Sequence, residues 1–121
     1  MKFVIKGRMP GLNEYTKACR GNKFGEKSMK KKNEKAVQES AMEYHVNKIE
    51  NYPIHMIIRW YEPNNRRDID NVTFATKFIL DGLVKMGVLV DDSRKYISSI
   101  NHNVFTDKEN PRIEVEIMEA E

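Results

Sequence analysis

Ile54-His55-Met56-Ile57-Ile58-Arg59-Trp60 is the stretch that sets the architecture. Its first five residues are too apolar for a half-exposed edge, and Pro53 opens it, so it predicts an inner β-strand. Glu62-Pro63-Asn64-Asn65 reads as the turn that follows. Beyond it, Ala75, Phe78, Ile79, Gly82, Leu83 and Met86 recur at three- and four-residue spacing. That period predicts a helix over 71–86 with one buried face, stopped by Gly87 at the C′ position.

Residues 2–8 alternate and carry β-branched side chains, a second strand signal broken by Pro10-Gly11. Gly11, Gly21 and Gly25, mixed with Lys17, Arg20 and Lys23, make 12–25 read as a basic, flexible loop. Residues 26–51 hold no Pro or Gly and are rich in helix formers, so they predict a helix. Strands are expected over 96–105 and 112–118, with Asp107 to Asn110 as a hairpin turn between them. The order β-α-β-α-β-β argues for a single α+β domain over 1–121, a small mixed sheet with helices on one face.

A chain of 121 residues with 40% hydrophobic and 32% charged content is an ordinary globule, small enough for dimerisation to help bury surface. Cys19 is the single cysteine, which excludes an intrachain disulfide and a cysteine-rich zinc site and fits a reducing compartment. The strand-like start and the lack of a long apolar run predict no signal peptide and no membrane span, hence the cytoplasm. Residues 1–67 carry fifteen Lys/Arg and seven Asp/Glu, against six and eleven over 68–121. A basic half that attracts a polyanion and an acidic half that holds metal is one reading; uneven scatter of charge is the other.

The acids cluster in two segments. Arg66-Arg67-Asp68-Ile69-Asp70-Asn71 carries one pair, and Asp91-Asp92 the other. In an extended chain a spacing of two puts Asp68 and Asp70 on one side, while Asp70 also suits a helix N-cap. Val88-Leu89-Val90 is short enough to carry Asp91 and Asp92 back beside them. Taken singly, Asp70 reads as a cap and Asp91-Asp92 as a surface turn. The pair of pairs beside Arg66 and Arg67 points instead to a metal and an anionic substrate, most simply a phosphate. Oxygen-only ligands select Mg²⁺ or Mn²⁺ over zinc, serving one ion or two that bracket a scissile phosphate. A calcium loop is excluded: Val72 stands where the third oxygen ligand belongs, no Gly follows and no Glu closes the loop. On a continuous helix Lys77 shares the azimuth of Asp70 and pairs with Asp81, either as a solvated ion pair or as a cation aimed at phosphate. His45, His55 and His102 show no metal-ligand spacing, and no Gly-rich phosphate loop is present.

Three segments together resemble the RusA family of Holliday junction resolvases: Arg66-Arg67-Asp68-Ile69-Asp70-Asn71, Lys77-Phe78-Ile79-Leu80-Asp81-Gly82-Leu83 and Gly87-Val88-Leu89-Val90-Asp91-Asp92. The likeness is strongest over 66–92. It implies a homodimer of mixed α/β fold in a bacterial cell, of host or phage origin. Such a protein binds four-way DNA junctions in recombination and repair. It uses Mg²⁺, with Mn²⁺ able to substitute, to nick symmetrically related strands. The resemblance places the catalytic acids on Asp68, Asp70 and Asp92, with Asp91 supporting the metal, the lysine on Lys77 and the arginine on Arg67. Lys77 lies three residues farther from the second acid than the family pattern has it, which an insertion of nearly one helical turn explains. Lys17, Arg20, Lys23, Lys27, Lys30 and Lys31, with Arg66 and Arg67, are the expected contacts to DNA phosphates. Two other functions compete: a non-catalytic protein that binds branched DNA by charge alone, and a Mg²⁺-dependent nuclease without junction preference.

Overall fold

The period-two pattern of the central stretch is realised as β2 (Ile54–Glu62), in which Ile54, Met56, Ile58, Trp60 and Glu62 are all buried and the residues between them are not. In the computed structural model, which describes residues 1–120 apart from the side chain of Lys23, seven further elements surround it. In chain order they are β1 (Lys2–Lys6), α1 (Leu12–Gly21) and α2 (Lys23–Glu43) before β2, then α3 (Ile69–Thr73), α4 (Thr76–Lys85), β3 (Ile97–Thr106) and β4 (Arg112–Met118). The sheet order is β1-β4-β2-β3, with β2 parallel to β3 and antiparallel to β4, so β2 is an inner strand as its composition requires. One face of the sheet (Phe3, Ile58, Trp60, Val115 and their neighbours) packs on Val37 and Ala41 of α2 and on Phe78, Ile79 and Leu83 of α4. The opposite face is left to ion pairs such as Lys2–Glu114 at 3.5 Å and Arg59–Glu116 at 3.3 Å.

Several expectations need correction. Residues 12–25 are not a loop: they form α1 and the first turn of α2, separated by Asn22, whose side chain accepts from the Phe24 and Gly25 N–H groups at 2.9 Å each. That is a helix N-cap, a role its amide suits. The long helix ends at Glu43 rather than Asn51. His45 adopts φ 56, and the Val46 N–H reaches back to the Ala41 carbonyl at 2.9 Å, a left-handed C-terminal cap made without glycine. Gly87, at φ +84, ends α4 in the same way and as expected. The helix predicted over 71–86 is two helices, broken at Phe74-Ala75.

Residues 107–110 are not a hairpin turn. β3 and β4 follow each other in sequence, yet β2 lies between them. The connection therefore crosses the end of β2. The Asp107 N–H donates to the Glu62 carbonyl at 2.7 Å, and the Asp107 carboxylate accepts from Glu109 and Asn110 N–H groups at 3.2 and 3.1 Å. What draws β4 past its sequence neighbour is its apolar set: Ile113, Val115 and Ile117 fill the slot between β1 and β2.

Two predictions follow from this packing. A Cβ on Gly82 would lie 3.1 Å from the Glu34 carbonyl of α2, so Gly82→Ala should push α4 off α2 and cost about 1–3 kcal/mol in urea unfolding. His102 gives the second. Trp60 Nε1–H donates to His102 Nδ1 at 3.0 Å, which requires a neutral ring, and burial pushes its pKa below the usual 6.5. The unfolded ring then binds a proton where the folded one does not, so stability should fall as pH drops below about 6.5 toward the folded value. An NMR titration should place the His102 midpoint below 6.5, and His102→Gln should flatten this part of the Tm–pH curve.

Candidate active site

Arg67 anchors the segment that follows β2. One Nη donates to the Met9 carbonyl at 2.9 Å and lies 3.7 Å from the Glu62 carboxylate, while the other bonds Glu14. Its side chain is 14% exposed. Arg8 reaches the same Glu62 carboxylate at 2.8 Å. Asn71 acts from the other end of the motif: its Oδ1 accepts from the Asn13 N–H at 3.0 Å. Asn71 also presses on Gly11, where a Cβ would meet Asn71 Oδ1 at 2.4 Å and its carbonyl at 2.9 Å. Only glycine fits there. Arg67 and Asn71 thus commit their polar groups to seating α1, while Arg66 stays exposed and its N–H donates to Asn64 Oδ1 at 3.0 Å.

The chain turns helical at Ile69, so the two first acids do not share the face of an extended strand. Asp68 occupies the N-cap position of α3, but its carboxylate caps nothing, and Asp70 falls inside the first turn rather than serving as the cap. Both carboxylates are exposed, as is Ile69 between them. Asp91 and Asp92 are exposed too, and with Asp81, Val84 and Lys85 they line a groove of about 170 Å³. The return segment is held elsewhere: the Ile49 N–H donates to the Val88 carbonyl at 3.0 Å and the Val90 N–H to the Tyr52 hydroxyl at 3.1 Å. It docks on residues 49–52. Among the described residues, no three His, Cys, Asp or Glu side chains gather closely enough to hold one metal ion. The donor set is still all oxygen, and Mg²⁺ takes as few as one or two carboxylates with water and phosphate completing its shell. Each pair has that capacity.

Lys77 pairs with Asp81 at 3.5 Å and is exposed. At the break between α3 and α4, Phe74 and Ala75 keep right-handed helical backbone angles. Phe74 fills that break, its ring 4.9 Å from that of Tyr15. A second lysine went unremarked in the sequence, although its i,i+4 spacing from Asp81 was the available signal. Lys85 donates to Glu34 at 2.6 Å, and Glu34 is 4% exposed with its other oxygen unpartnered. A buried carboxylate on α2 thereby fixes a cation at the wall of the Asp91-Asp92 groove and keeps the Lys85 pKa raised.

Of the expected DNA contacts, Lys17 and Arg20 project from α1 and Lys27, Lys30 and Lys31 from α2; the Lys23 side chain lies outside the described residues. α1 buries no residue fully. It is held by the Arg67 and Asn71 contacts and by Tyr15, whose hydroxyl donates to Glu26 at 2.5 Å. That bond lowers the Glu26 pKa and raises that of Tyr15.

Removing Arg67 leaves the Glu62 carboxylate buried with Arg8 alone. Arg67→Ala should therefore cost roughly 3 kcal/mol in chemical unfolding, whereas exposed Arg66→Ala should change stability by less than about 0.5 kcal/mol. The family model for endodeoxyribonuclease RusA matches residues 9–118 of the chain, and no curated protein matches it.

Proposed function

This chain belongs to the RusA family of endodeoxyribonucleases, and we propose that it resolves Holliday junctions by paired symmetric nicks that depend on Mg²⁺. Membership makes it a hydrolase of DNA phosphodiester bonds. What carries the finer reading is the extent of the match: it spans the basic helices and both acid pairs, not the acids alone.

Asp68 and Asp70 at the start of α3, with Asp91 and Asp92 at the groove, are the residues that would hold a divalent ion. Bound there, the ion supplies polarisation of the phosphoryl group and a water of lowered pKa. The chain's own cations do the rest. Lys77, exposed beside Asp81, would stabilise charge on the phosphate as it builds. Lys17, Arg20, Lys27, Lys30, Lys31 and Arg66 meet backbone phosphates, which orients the DNA without reading its sequence. Arg67 contributes indirectly, by holding α1 where its lysine and arginine face the same substrate. A homodimer would present two sites to a substrate of near two-fold symmetry, one for each strand cut. The cytoplasm of a bacterial cell is where such a substrate arises.

A synthetic four-way junction, incubated with and without Mg²⁺ and mapped on all four strands, tests this. Paired nicks at symmetry-related positions are expected, and equal rates on junction, flap and linear duplex would sink the junction reading. Asp70→Asn should retain binding and lose about a hundredfold or more in cutting rate. A normal rate for that variant would remove Asp70 from the site. Junction affinity should also fall steeply between low and physiological salt, as counterion release requires.

A further inference from the structure

A cavity of about 640 Å³ opens where the chain leaves β1 and passes beneath α1 and α2. It lies beside Arg67, one residue from Asp68, and none of the roles assigned above uses it. Three cations line it: Arg8, Lys32 and Arg67. Two carboxylates stand against them, Glu14 in the lining and Glu62 behind, which leaves a surplus of one positive charge. Arg67 is committed to the protein, but Arg8 gives a single Nη to Glu62, and Lys32 is exposed at the mouth. Met9, Pro10 and Met29 supply the apolar part of its lining. Two neutral hydrogen-bonding groups, Ser28 and Asn33, complete it. Asn33 is 9% exposed, and its Nδ2 donates to the Met29 carbonyl at 2.7 Å, which fixes the orientation of its amide.

We propose that this cavity receives one unstacked deoxynucleotide of the DNA strand beside the cut. Its location beside the cut rests on the nuclease reading of Asp68 and Asp70. The volume suits a ligand of nucleotide size, since small-molecule sites run from about 300 to 1,000 Å³. Phosphate alone would leave the apolar lining of Met9, Pro10 and Met29 unused. A nucleotide uses all three parts. Its phosphate meets Arg8 and Lys32, its base lies on the methionine and proline wall, and its edge meets Ser28 and the oriented amide of Asn33. Extrusion costs least where a base is unpaired or weakly held in its stack.

The test is an amide NMR titration of the full chain in EDTA with the four deoxyribo homodinucleotides as probes, run alongside junction cleavage in Mg²⁺. We expect millimolar binding, with shifts at Gly25, Ser28, Asn33 and Arg67. Ser28→Trp, which fills the mouth from an exposed position, should weaken binding at least tenfold, and Lys32→Ala should weaken all four probes alike. Shifts confined to the outer faces of α1 and α2 would overturn the proposal, as would unchanged binding by Ser28→Trp. Cavity shifts without junction cleavage sink the resolvase reading and leave the pocket standing. Cleavage without cavity shifts does the reverse.

Discussion

One buried carboxylate ties the molecule together. Glu62, the last residue of β2, is 5% exposed and accepts from Arg8 at 2.8 Å with Arg67 at 3.7 Å, while its own carbonyl accepts from Asp107 at 2.7 Å. The exit of β1, the start of the acidic segment and the crossing between β3 and β4 therefore converge on a single residue. A charge buried this deeply is tolerable only if paired, and two guanidiniums satisfy it. Through Arg67 the same pairing extends to Glu14 and thus to α1. α2 is seated on the sheet by Val37 and Ala41, and α1 is tied to it by this cluster together with the packing of Tyr15 on Phe74.

Much of the sheet was legible because its signals are local. The alternation of β4 and the apolar run of β2 are written in consecutive residues, and Gly87 marks the end of α4 in the one conformation only glycine adopts freely. α1 was not legible. Its glycines and dense cations look like a loop, and what stabilises it is Arg67 and Asn71, far along the chain. The crossing at 107–111 was hidden for a related reason. Turn residues show where a chain reverses, not which strand will settle between its two arms.

The acidic site shows the same division. Residue types announced the chemistry: oxygen donors in pairs, with cations nearby. Their arrangement depended on contacts no spacing reveals: the Tyr52 hydroxyl and the Ile49 amide hold 88–90, and Asn71 and Arg67 hold the start of α3. Arg67 illustrates how a motif can serve two ends at once. It stands beside the acids like a substrate contact, yet its donors are turned inward, and the motif's exposed arginine is Arg66. Half of what looks like catalytic sequence is scaffolding for the helix that borders it.

The position of β4 bears on how the protein is made. β4 is bonded to β1 on one side and β2 on the other, the first two strands of the chain. No pair of strands that touches in the sheet is joined by a short turn. While the ribosome is still extending the chain, β1 has no neighbour and β2 has at most β3. The sheet cannot close until residue 118 has cleared the exit tunnel. Up to that point β1 has no strand partner and one edge of β2 is open in the nascent chain, the kind of unpaired edge that favours association.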